Sequence, residues 1–159
     1  MSLLVTDPLK IGPAQLVSTN VVDDALPPWN PATTYALAAR VIKNNAIWES
    51  AQSNNTGNDP ETAGASLWLY VSPTNTWRAF DNSHNTHTSR KGGFYFELKL
   101  GFAISAVHIT DMVDCNTVRV RLIDPVAGTV YDTGQLAVGS VITRASWWEW
   151  LFGQREEAD

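Results

Sequence analysis

Hydrophobic and polar residues alternate with a period of two along much of the chain, and no helical spacing appears before residue 140. In FYFELKL, Phe94, Phe96, Leu98 and Leu100 fall on one face, and Tyr95, Glu97 and Lys99 on the other. VRVRLID repeats the pattern, with Val118, Val120 and Leu122 inward and Arg119 and Arg121 outward. DPVAG reads as a turn and TVYD as its return strand. FAISAVHIT is more continuously apolar, as a central strand would be. Upstream, RVIKNNAIWES predicts a hairpin, because the paired Asn44-Asn45 tolerate the positive φ of a two-residue turn. SNNTGNDPETAG is a polar loop, and LWLYV a short apolar strand after it.

These elements predict a mainly β chain in three parts. Residues 1–28 form an N-terminal arm ending in DDALPP, whose prolines favour an extended exit. Its Leu9, Ile11, Leu16 and Val17 are candidates to pack on a neighbour. Residues 29–72 form a small, Trp-rich, three-stranded unit, in which Trp29 and Tyr35 flank a Pro-containing turn. Residues 73–159 predict an antiparallel β-sandwich of jelly-roll type. About four to six strands follow residue 72, against roughly seven in a sandwich. The expectation is therefore that partner subunits complete the sheets, or that the chain is a piece of a longer product.

Composition narrows the function. Of 159 residues 44% are hydrophobic, which suits a folded domain, and only 17% are charged, against about 25% usually. The net charge of −5 argues against nucleic acid and against an anionic bilayer as partners. No apolar run approaches the roughly 20 residues of a membrane span. MSLLVTDPLKIGPAQ lacks the basic start of a secretion signal. The single Cys115 excludes an internal disulfide and is expected to be a small buried apolar residue. Seven tryptophans are the outlying number: four between Trp29 and Trp77, three between Trp147 and Trp150. Each cluster needs a core, a partner or a ligand.

Flat indoles stack on the C–H face of a sugar ring while amides and carboxylates bind its hydroxyls. Aromatics interleaved with Asn44, Asn45, Gln52, Asn54, Asn55 and Asp59 match that chemistry. The candidate glycan-binding residues are Trp48, Trp68, Tyr70, Tyr35 and Asn54. The competing reading is that a unit of about 45 residues needs large aromatics for its own core. Asp81, His84 and His87 in DNSHNTH match no strong metal motif. Asp23 and Asp24 lie in the arm and Asp111 and Asp114 in a loop, and no G-x-S-x-G occurs. No catalytic residue, metal or cofactor is expected.

Residues 29–68 resemble the type 3 chitin-binding domain, a carbohydrate-binding module 5/12-like fold. The pattern reads Trp29, Tyr35, Val41, Asn44-Asn45, Trp48, Ala51, Pro60 and Trp68. Two departures are visible: the usual Gly before the first strand is replaced within ALAAR, and the family's aromatic pair is replaced by Gln52-Ser53-Asn54. LVSTNV, the acidic Pro-containing joint, WNPATTYA, WESAQSNNTGNDP and TNTWRAFDN together resemble a tailed-bacteriophage tail-tip or baseplate protein over residues 14–135. That resemblance implies a virion tail component made in the bacterial cytoplasm. It implies a symmetric homo-oligomeric ring, other tail and baseplate proteins as partners, and host surface polysaccharide as ligand. It also makes residues 143–152 a mid-domain segment with strands to follow. The alternatives are a purely structural tail protein and the binding module of a cell-wall polysaccharide hydrolase.

Overall fold

A computed structural model describes residues 9–83, 85–102, 104, 107–109 and 111–138. The fold is mainly β, built of several small antiparallel sheets, with one short 3-10 helix among the described residues. The chain divides into two compact units, one up to residue 111 and one from residue 112.

The first unit is organised around β3 (Arg40–Lys43), β4 (Ala46–Ser50) and β6 (Trp68–Pro73), in the order β3-β4-β6. The β3–β4 hairpin closes as the sequence predicts. Asn44 and Asn45 both have positive φ, 48° and 63°, and Lys43 lies opposite Ala46. A bulge in β6 leaves Val71 unmatched between Tyr70 and Ser72, and sets Tyr70 opposite Trp48. The outer edge of β3 is covered by the chain before it: Ile42 N–H donates to Pro27 and Trp29 N–H to Ile42. That cover keeps a strand edge from pairing elsewhere.

The core lies against this sheet. Tyr35, Val41 and Trp68 are buried, and Trp29, Ala39, Trp48, Ala63 and Leu67 pack around them. Tyr35 and Trp68 meet edge to face at 5.2 Å. The Trp68 indole N–H donates to the Asn58 carbonyl at 2.9 Å, so its one polar atom is satisfied. Burying an indole contributes at most roughly 4–6 kcal/mol before entropy is counted. β2 (Thr34–Tyr35) pairs with β5 (Asn55–Thr56) and closes the polar loop onto the core. Asn55 is buried there: its amide donates to the Leu67 carbonyl (2.8 Å) and to Ser50 Oγ (3.0 Å), while its Oδ1 accepts from Asn58.

The arm is tied into this unit. β1 (Leu16–Thr19) pairs antiparallel with β7 (Phe96–Leu98). Within β7 and on to Leu100, burial alternates as the sequence predicts, with Phe96, Leu98 and Leu100 half-buried and Glu97 and Lys99 exposed. Phe94 departs from that alternation and is exposed, as are Leu9 and Val17 in the arm.

In the second unit β8 (Thr117–Val118) pairs with β11 (Leu136–Ala137), and β9 (Arg121–Asp124) with β10 (Gly128–Asp132). The Asp124 carboxylate accepts from Val126 and Ala127 N–H, both at 2.8 Å, and Gly128 takes φ 78°, so DPVAG is a turn. Val118, Val120 and Leu122 are half-buried and Arg119 and Arg121 exposed, as the alternation requires. None of residues 112–138 is buried, and Ile123, Val126, Val130 and Tyr131 are exposed.

Two expectations are corrected. The described residues of FAISAVHIT, 102, 104 and 107–109, are not in a central strand: they join no sheet, and Phe102, Val107 and Ile109 are exposed. An apolar run becomes a central strand only with a ladder on both sides, and no described strand flanks it. The strands after residue 72 accordingly remain in two-stranded pairs among the described residues. Cys115 is not fully buried: it is half-exposed, and its thiol lies 3.3 Å from the Thr117 carbonyl. The SWWEWLF segment lies outside the described residues.

Candidate functional site

Tyr35 and Trp68 are core residues, 7% and 2% exposed, with no ring face open to a ligand in this conformation. Trp48 is half-buried and meets Tyr70 edge to face at 5.6 Å. Tyr70 is 57% exposed. Asn54 is exposed, with φ 56°, while its neighbour Asn55 is the amide turned into the core. Of the sequence-predicted set, Tyr70 is therefore the ring that reaches a surface concavity.

That concavity is a shallow, widely open groove of about 280 Å³ in the first unit. Tyr70 and Pro73 of β6 form one part of its wall, and the Asn44-Asn45 turn another. Trp77 and Phe80 of the 3-10 helix (Trp77–Phe80), with Asp81, form a third, and Ile11–Pro13 of the arm a fourth. Trp77 and Phe80 stand with centroids 6.0 Å apart and planes inclined at 59°. Phe80 is braced from behind by Phe96 at 4.9 Å.

Two of these walls are held by separate devices. The turn is fixed by the positive φ of its two Asn residues, and Asn44 Nδ2 donates to Glu61 at 2.7 Å. Behind it, Lys43 bonds the Asp59 carboxylate and lies 4.1 Å over the Trp29 ring. The Lys43 hydrogen bond is the main reason the Asp59 carboxyl sits below the usual range, with the Glu61 N–H assisting. The helix is positioned by the arm. Asp24 accepts from Asn75 N–H (2.8 Å) and from the Arg78 guanidinium (3.0 Å), and Asp23 from Thr76 N–H (2.8 Å). The buried Asn75 side chain donates to the Val22 and Ser89 carbonyls, both at 2.9 Å. It thus ties arm, helix and the segment after it together, and leaves few of its polar atoms unpaired.

Asp81 is the one formally charged residue among the described residues of the wall. Its carboxylate accepts from Ser83 N–H at 2.9 Å and from the Thr86 hydroxyl, which fixes its direction. The Tyr70 phenol is held above its ordinary range, first by burial and then by the Asp81 charge, so the two groups share one electrostatic environment. His87 is exposed, and His84 lies outside the described residues. Among the described wall residues there is no second carboxylate to pair with Asp81 as acid and base.

The sequence reading missed Trp77, Phe80 and Asp81 as groove residues. A four-residue helix has no periodicity to detect, and its position is set by Asp23 and Asp24, more than fifty residues upstream. No described helix is long and apolar enough to cross a membrane. Comparison with protein-family models, curated proteins and solved structures finds no match to this chain.

Proposed function

We propose that the chain is a structural component of a bacteriophage tail tip or baseplate whose Trp-rich module holds host-surface glycan in the groove beneath Tyr70 and Trp77. The observation that carries this reading is the wall itself: Tyr70, Trp77 and Phe80 supply apolar ring surface beside the amides of Asn44 and Asn45. A sugar needs that pairing, apolar contact for its C–H face and amides for its hydroxyls. Of the two motifs that most resemble tail proteins, one builds the core beside the groove and the other the groove wall. WNPATTYA makes the turn in which the Asn30 backbone N–H donates to the Tyr35 hydroxyl at 2.7 Å. NTWRAFD makes the clamped helix and ends on Asp81.

A groove this small gives weak binding per copy. Repetition around a tail axis raises effective binding by about 10² to 10⁴ without new contacts. The test is an array of bacterial surface glycans probed with the full chain displayed in many copies, beside Tyr70→Ala. Because Tyr70 is largely exposed, the substitution leaves folding intact, and a bound glycan should lose about tenfold in affinity. Absence of binding to every glycan would overturn the attachment role.

A second reading, a purely structural tail protein, has its own support. The β9–β10 hairpin exposes Ile123, Val126, Val130 and Tyr131, and none of residues 112–138 is fully buried. Two-stranded hairpins are marginal alone and gain from a covering partner.

A further inference from the structure

The groove's wall is more selective than a sugar platform needs to be, and we propose that it prefers a ligand carrying a cationic nitrogen. This deepens the glycan reading and rests on the same groove being the ligand site. The ligand class is a surface polysaccharide bearing a protonated amino sugar or a trimethylammonium group, whose shared chemistry is the positive nitrogen.

Three observations point the same way. First, the described wall carries one carboxylate, Asp81, and neither Lys nor Arg. A cation entering there meets an opposite charge, and an anionic sugar meets a like one. The carboxylate is half-buried and already oriented by Ser83 and Thr86, so it loses little freedom on binding. Second, three aromatic rings line a volume of about 280 Å³, the scale of one sugar ring or one alkylammonium head. Aromatic faces carry negative potential and attract cations within about 6 Å. Third, Trp77 and Phe80 are inclined at 59° rather than coplanar. Rings inclined in this way cannot both stack on one flat sugar face, whereas a cation needs the face of only one ring. The nearby cations are engaged elsewhere: Lys43 with Asp59, and Arg78 with Asp24.

Binding to the full chain is followed by tryptophan fluorescence with four probes: a glucosamine oligosaccharide, its N-acetylated counterpart, an oligogalacturonate and choline chloride. The glucosamine oligomer should bind at least about fivefold tighter than the N-acetylated one, and the uronate weakest. Asp81→Asn keeps an acceptor for Ser83 and should erase that preference. Asp114→Asn, at an exposed loop position, removes the same unit of charge and should preserve the preference. Equal or tighter binding of the N-acetylated oligomer by the wild-type chain overturns the charge preference and leaves the glycan reading standing. A preference that survives Asp81→Asn overturns it as well. Choline bound in an Asp81-dependent way, with no sugar bound, supports the cation preference and overturns the glycan reading. Silence from all four probes overturns both.

Discussion

Ala38 sits at φ 64°, in the left-handed region, just before β3. Its N–H donates to the Ser50 carbonyl at 2.8 Å, and Ser50 N–H donates back to Ala39, so the sheet holds the residue in place. An L-residue with a Cβ loses about 1–2 kcal/mol in that conformation. Replacing Ala38 by Gly removes this strain but widens the unfolded ensemble, at a cost of roughly 0.4–1 kcal/mol. At mid-range values the difference leaves Ala38→Gly more stable by about 0.8 kcal/mol. At Ala36, two residues away, exposed and without positive φ, the same change has only the unfolded-state cost. Ala36→Gly should therefore destabilise by about 0.4–1 kcal/mol. Opposite signs at neighbouring alanines are a stringent expectation. Urea unfolding monitored by tryptophan fluorescence reads both as shifts in midpoint at constant slope. In a unit of this size the Ala38→Gly gain corresponds to roughly 2–8 °C in Tm. A lower midpoint for Ala38→Gly, or the same sign for both variants, would refute the reasoning.

Further outcomes follow from the same geometry. Asn55→Ala leaves the Leu67 carbonyl and Ser50 without their buried partner and should destabilise by about 2–3 kcal/mol, read in the same unfolding assay. Asp132 is held at about 2, against an ordinary 3.8, mainly by Arg119, whose Nε donates to it at 2.8 Å, with Gly134 N–H assisting. A lowered folded-state value means the pair's stabilisation is present above about pH 4 and is lost as pH falls toward 2. Side-chain NMR should place the Asp132 midpoint near 2, and Asp132→Asn should remove that part of the acid dependence. The Tyr70 phenol should ionise above pH 10 in an ultraviolet titration, and its contribution to stability fades as pH rises beyond that value. Asp81→Asn should lower the Tyr70 midpoint only in part, because burial is the larger cause.

Local signals carried the parts of the fold that local physics decides. Asn44-Asn45 marked a turn because both residues accept positive φ, and the hairpin formed there. Alternation placed Phe96 and Leu98, and Val118 to Leu122, on the correct faces. The β1–β7 pair was not legible, since LVST alternates too briefly to announce a partner nearly eighty residues away. The same distance hid the clamp, in which Asp23 and Asp24 read as part of a linker but orient Trp77. Asn54 and Asn55 are chemically identical in sequence. Only the β2–β5 pairing decides that Asn55 turns inward. The tryptophans could not be sorted into core and surface by composition: Trp68 fills the core, while Trp77 lines the groove.

The pairing of Ser18 with Glu97 spans 79 residues. Closing a loop of that length costs roughly 4 kcal/mol of chain entropy, which the contacts made afterwards must offset. On the ribosome, Leu16–Thr19 emerge long before Phe96–Leu98 and wait without their partner. The hairpin and its Tyr35–Trp68 cluster need only residues 27–74, so they condense first. Ile11–Pro13, which contribute one wall of the groove, lie just before β1, whose partner β7 is among the last strands of the first unit to be made. A nascent chain shorter than about a hundred residues holds the residues of its tryptophan core but lacks the strand that pairs with β1.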